Sequence, residues 1–167
     1  TNNEMMTVTQ RITRLHSVID SAKLPEDDSW LSTEMDEAFN FDTPAEIIHA
    51  LRTSGSPWAI ETLKTLEKRS PLMLHVSLRQ IRLGRHMSLA DELRLERTLV
   101  QHCFYTNHLD RAGAQTETVE GIRALAVDKD HSPVWNPARI EDVTPAMVDP
   151  FFESPWAQED HPLADLD

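Results

Sequence analysis

Eight histidines, one cysteine and several acidic pairs are the residues with chemistry to offer in this 167-residue chain. None of them falls into a working arrangement by spacing. His102 and His108 stand six apart, the second in a loop-forming stretch, and no two histidines share a helix face with a carboxylate at a metal-ligand spacing. Cys103 sits on the apolar side of its helix and reads as a buried, inert thiol. Glu34 with Glu37, and Asp91 with Glu92, read as solvated helix surface and first-turn complements to the helix dipole. The sequence shows no glycine-rich phosphate loop, nucleophile elbow or dinucleotide fingerprint. The expectation is therefore no catalytic residue and no metal site. One basic feature remains. His75, Arg79 and Arg82 form a polar stripe, continued by Arg85 or His86, with Lys68 and Arg69 nearby. It reads either as a solvated helix face or as a contact with phosphates, from a nucleotide-like cofactor or from RNA.

The element that positions this stripe runs from Ser70 to Leu83. Ser70 can cap a helix and Pro71 fits its first position, where the missing N–H costs nothing. Leu72, Met73, Leu74, Val76, Leu78, Ile81 and Leu83 then cover most of the cylinder, so this helix is expected to be a hub surrounded on most sides. Around it the periodicity predicts further helices. The first spans Glu4 to Ala22, with Met5, Val8, Ile12, Leu15 and Ile19 at spacings of three or four, and a short one falls within Ser29–Phe41. Thr43-Pro44-Ala45-Glu46 is a capping box that opens a helix burying Ile47, Ile48 and Leu51. Ser56-Pro57 repeats the device, turning Trp58, Thr62, Leu63 and Leu66 inward. Ser88 caps a long helix to about Tyr105, with Leu89, Leu93, Leu99, Val100, Cys103 and Phe104 on one side. Asn107 to Gln115 reads as a polar loop. A helix from Thr116 or Thr118 turns Val119, Ile122, Leu125 and Ala126 inward, and a last short one runs from Thr144 to about Phe152. No strand and no internal repeat is expected.

The net charge of −12 is unevenly spread. Glu26 to Glu46 and Glu141 to Asp167 hold eight acidic residues each and no Lys or Arg, whereas Leu51 to Arg111 holds ten basic against six acidic. That distribution disfavours nucleic acid or anionic membrane as a general partner while leaving room for a local basic patch. A single cysteine excludes an internal disulfide and suits a reducing compartment such as the cytosol or mitochondrial matrix. No apolar run reaches the roughly 18 to 20 residues that cross a bilayer. The opening Thr1-Asn2-Asn3-Glu4 resembles neither a signal nor a transit peptide, and is expected to mark a processing site or an excerpt of something longer.

The stretch from Glu120 to Asp130 (EGIRALAVDKD), followed by Ser132-Pro133-Val134-Trp135-Asn136-Pro137, resembles the end of the 3-hydroxyisobutyryl-CoA hydrolase family. That family closes on a helix reading roughly E-G-V-R-A, then D-K-D, then P-x-W-x-P. Phe39 with Ile47 and Leu51, Ser56 to Trp58, Ser70-Pro71 with Leu74 and Leu78-Arg79-Gln80, Leu89 through Glu96 to Gln101, and Glu141 to Thr144 before Val148 agree in order. The resemblance covers roughly residues 39–152, within the crotonase-like (enoyl-CoA hydratase/isomerase) superfamily. It implies hydrolysis of the 3-hydroxyisobutyryl-CoA thioester in valine breakdown, in the mitochondrial matrix. A carboxylate would activate water or attack the acyl carbon while two backbone N–H groups hold the oxyanion. In the family these groups lie in a β/α core that precedes the helices. The fold expected for this chain is thus all-α: one helical domain over residues 1–152, a C-terminal module without that core, and an acidic tail over 153–167. By position, Lys129 would meet a phosphate of the CoA moiety and Leu125 its adenine or pantetheine, while Arg123, three after Glu120, reads as a structural ion pair. The partner implied is the missing β/α core. Relatives that serve in the mitochondrial ribosome imply a second reading, in which Arg79, Arg82 and Arg85 face small-subunit proteins and rRNA. The loop 107–115 is longer than that family leads one to expect.

Overall fold

The computed structural model describes residues 33–166, together with Arg14 and Ser17. The helix expected over Glu4–Ala22 lies outside the described residues apart from those two, both helical. The chain divides into two units, Thr1–Phe39 and Asn40–Asp167. In the first, α1 (Thr33–Phe39) places Glu34 and Asp36 in its opening turn, where carboxylates complement the unpaired amides.

In the second unit the cap signals of the sequence become helix starts. Before α2 (Pro44–Ser54), the Glu46 N–H donates to the Thr43 hydroxyl at 3.2 Å and the Thr43 N–H to the Glu46 carboxylate at 2.9 Å. This helix ends at Gly55, whose φ of 62° is a left-handed value that side chains disfavour. Ser56, Ser70 and Ser88 cap α3 (Pro57–Leu66), α4 (Pro71–Gly84) and α5 (Leu89–Phe104) with the hydroxyl alone, which accepts the N–H of Ala59, Met73 and Asp91 respectively. As the spacing predicts, α2 buries Ile47, Ile48 and Leu51. The core gathers Leu72 and Val76 of α4, Leu99 of α5, Val148 of α7 (Pro145–Val148) and Phe151 of the 3-10 turn after it. Full burial of each such side chain is worth about 1.5–3 kcal/mol. His102 and His108 pack their rings against Phe151 and hydrogen-bond the carbonyls of Glu153 and Met147.

Four expectations change. The fold is not all-α, because β1 (Tyr105–Thr106) pairs antiparallel with β2 (Arg111–Ala112), Tyr105 opposite Ala112 and Thr106 opposite Arg111. Between them a 3-10 turn over Asn107–Leu109 ends on Asp110 at φ 55°, a conformation aspartate tolerates. Strands of two residues have no alternation to read, so this segment looks like plain loop in the sequence. The hub helix is sheltered along one side: Leu72 and Val76 are buried, but Ile81 is 61% exposed. In α5 Leu99 and Cys103 face the core as expected, joined by Ala90, Leu95 and Thr98, but Leu89, Leu93, Val100 and Phe104 are exposed. Apolar residues occupy both sides of this helix, and periodicity alone cannot choose between them. Finally, α6 (Glu117–Ile122) widens into a π-helical turn over Arg123–Val127. The wider turn rotates its residues off the 3.6-residue pattern, so Ala124 is buried and Leu125 and Ala126 face outward, as Ile122 does just before it.

Residues 153–166 lie against α5. Arg94 donates to the carbonyls of Leu163, at 3.0 Å, and Leu166, while the Arg97 guanidinium stands 4.9 Å from the centre of the Trp156 ring.

Candidate functional site

The π turn is held by one arginine. Arg123 grips both oxygens of Glu120 at 2.8 Å and reaches Asp128 at 2.7 Å and Asp130 at 2.6 Å. The same Glu120 accepts the Val134 N–H at 2.7 Å. These bonds hold the Glu120 carboxyl down at about 2 and raise Arg123 further above its already high value. Asp130 is lowered too, by Arg123 first and by the Ser132 N–H second. Arg123 is therefore the structural ion pair that its spacing from Glu120 suggests.

The clasp has a consequence for Lys129. Its sequence neighbours Asp128 and Asp130 are both engaged by Arg123, so the Lys129 ammonium has no ion-pair partner among the described residues. It sits at φ 56° in the left-handed region, in a turn closed by the bonds of the Asp128 and His131 N–H groups to the Arg123 and Ala124 carbonyls. Leu125 is 66% exposed, with Val127 and Val134 exposed nearby in the chain. A free ammonium and an uncovered leucine on one short segment can meet an anion and an apolar ring together.

The basic stripe lies elsewhere, on the floor of an open groove of about 710 Å³ between α4 and the segments Asp42–Pro44 and Val143–Asp149. Arg79 pairs with Asp149 at 2.5 Å and covers the Phe152 ring at 4.3 Å. Arg82 pairs with Asp42 at 2.7 Å and donates to the Phe41 carbonyl. Arg85, just past the end of α4, is exposed and has no ion pair among the described residues. The structure thus separates Arg85 from the other two. Burial lowers the pKa of His75 at the back of this groove, against a bond to Ile140 that opposes the shift. Burial likewise raises the Cys103 thiol, with Thr118 opposing, which fits an unreactive sulfur.

Glu117 is the residue that the sequence conceals. In a helix's first turn an acid reads as a dipole complement, yet this carboxylate is buried. It accepts the Ser70 hydroxyl and the Asn136 N–H, the latter at 3.0 Å, and lies 3.8 Å from Arg111. Its partners stand up to 47 residues away, so no local pattern reveals them.

The chain belongs to the enoyl-CoA hydratase/isomerase family, whose model matches residues 2–152. Among characterised relatives it is 33% identical over 144 residues to mouse "3-hydroxyisobutyryl-CoA hydrolase, mitochondrial", a match covering 84% of this chain and 35% of that protein. It is 38% identical over 123 residues to Arabidopsis thaliana "Probable 3-hydroxyisobutyryl-CoA hydrolase 2", covering 71% and 31%. Two solved structures superpose well: a carnitinyl-CoA dehydratase from Mycobacterium thermoresistibile (TM-score 0.63, 29% identity) and an enoyl-CoA hydratase from Rhodobacter sphaeroides (0.62, 28%). They cover 87% and 86% of this chain, and 42% of each of theirs is matched. The chain spans about a third of the length of the curated relatives it matches.

These matches correct the remaining part of the expected fold. Residues 2–152 form one continuous stretch of the crotonase-like family, not a separate helical C-terminal module. The exposed Ile81, Leu125, Val127 and Val134 agree, since a self-contained bundle would cover them. Helix periodicity could not show this, because an amphipathic helix has the same pattern whether helices or a sheet cover its apolar side.

Proposed function

We propose that this chain takes part in hydrolysis of a CoA thioester, with 3-hydroxyisobutyryl-CoA as substrate, in the mitochondrial matrix. Lys129 pairs with a phosphate of the CoA moiety and Leu125 covers its adenine or pantetheine. The rest of the crotonase-like fold, acting as partner, supplies the carboxylate that works on the acyl carbon and the N–H groups that hold the oxyanion. Similarity to relatives named for this hydrolase, running through the Arg123 clasp that leaves Lys129 without an ion pair among the described residues, is the observation that carries the reading. A second reading, in which Arg79, Arg82 and Arg85 hold rRNA phosphates and ribosomal proteins, is the weaker: two of those three guanidiniums are already matched to carboxylates.

The test is a chimera of the mouse hydrolase in which this chain replaces the 144 matching residues. Release of free CoA from 3-hydroxyisobutyryl-CoA by the chimera, and none by the 167-residue chain alone, is the expected result. A folded chimera that binds no CoA ester would refute the proposal.

A further inference from the structure

Beyond Lys129 the chain returns antiparallel to α6. The Ser132 carbonyl accepts from Arg123 at 3.2 Å, the Val134 N–H donates to Glu120, and the Asn136 N–H donates to Glu117, further back along the helix. These bonds are all polar, and from Asp128 to Asn136 every residue except Pro133 and Trp135 is exposed. Trp135 is the one large side chain that seats this return limb. Its six-membered ring lies against the backbone of Gly121, where an added Cβ would stand 3.4 Å from it. Its indole N–H donates to the Lys68 carbonyl at 3.2 Å. Two residues on from Lys68, the Ser70 hydroxyl donates to the same Glu117 carboxylate that takes the Asn136 N–H. Trp135 and Asn136 therefore tie the limb both to α6 and to the corner between α3 and α4.

Lys129 stands at the head of this turn, exposed and at φ 56°. On one side its backbone is fixed by the Arg123 clasp, and on the other through the return limb. An ammonium on a flexible four-carbon stem gains most from a phosphate when the backbone beneath it need not be ordered on binding. Water-exposed hydrogen bonds such as those at Ser132 and Val134 open readily. An indole packed on a glycine and bonded through its N–H resists opening, because apolar contact and hydrogen bond must be lost together.

We propose that Trp135 is a positioning residue for Lys129: by seating the return limb on Gly121 and the Lys68 carbonyl, it fixes where the ammonium stands and so tightens the grip on a CoA phosphate. This inference rests on the CoA reading and deepens it, since Trp135 acts through Lys129 and not on the ester itself.

Steady-state kinetics of the mouse-hydrolase chimera with two substrates test it. Trp135→Leu should lower kcat/KM for 3-hydroxyisobutyryl-CoA about fivefold, through KM alone. With the pantetheine thioester of the same acid, which lacks the nucleotide phosphates, kcat/KM should stay unchanged, a contrast that general loosening of the fold would not produce. In a Lys129→Ala background Trp135→Leu should add nothing, because the group it positions is gone. Trp135→Phe keeps a ring against Gly121 and loses the bond to Lys68. It should show the same pattern at about threefold, and it replaces the leucine variant if that one does not fold. Equal losses with both substrates, a full further loss on top of Lys129→Ala, or no change with either substrate overturns the proposal. If Lys129→Ala itself leaves KM unchanged, the CoA reading falls and this inference with it. A raised KM in Lys129→Ala beside an indifferent Trp135→Leu sinks this inference alone.

Discussion

Glu117 shows how much one side chain can hold when its partners are distant in sequence. Its carboxylate ties the cap of α4, through Ser70, to the backbone at Asn136, with Arg111 beside it at 14% side-chain exposure. Removing one member of such a buried set leaves the other charge uncompensated and two donors unpaired. Glu117→Ala should therefore lower stability by about 3 kcal/mol, whereas Glu117→Gln, which keeps an acceptor, should cost roughly half as much. Urea denaturation at pH 7 measures both, as a shift of midpoint with little change of slope. At this scale the sequence is legible where a residue's partner is three or four positions away. The Thr43–Glu46 box and the Glu120–Arg123 pair can both be read directly from their spacing. Glu117 and Arg111 cannot, because nothing near either residue names the other.

At the scale of the element, the turn from Arg123 to Val134 is held by charge and has little apolar cover. Glu120 and Asp130 have lower pKa values in the folded chain than in the unfolded one, so the folded state binds fewer protons there. Their contribution is fully present above about pH 4.5 and is lost as the pH falls toward 2. Replacing Arg123 by Gln removes it. The gap in urea midpoint between parent and Arg123→Gln should stay constant above about pH 5 and close steadily between 4.5 and 2. A gap unchanged at pH 2 would show that the clasp works by shape alone. Helix starts were readable because Ser, Thr and Pro act on the turn they occupy. Which face turns inward was readable for α2, which has a single apolar side, and in part for α3, where Trp58, Thr62, Leu63 and Leu66 are half-buried around the buried Ala59 while Ile60 is exposed. It was not for α5, apolar on two sides, nor for α6, where the π turn changes the angle per residue.

Taken as a whole, the molecule follows its family over residues 2–152 while carrying apolar side chains in the open along the π turn and the second half of α4. Those exposed residues accord with a stretch of a larger fold, and they explain why composition and periodicity together suggested an independent helical domain. Helix patterns record that a face is apolar; they do not record what covers it. The segment that carries the family resemblance was legible for a different reason, since the order EGIRALAVDKD lies in contiguous residues and needs no tertiary knowledge to recognise. Its geometry, with Arg123 occupying both aspartates so that Lys129 has no ion-pair partner among the described residues, could not be foreseen from the sequence. The role given to Lys129 is tested most directly by steady-state kinetics of the mouse-hydrolase chimera with Lys129→Ala. The account predicts a KM for 3-hydroxyisobutyryl-CoA raised about tenfold with kcat unchanged, the signature of a lost contact made equally in the ground and transition states. An unchanged KM in a folded, active chimera would contradict it.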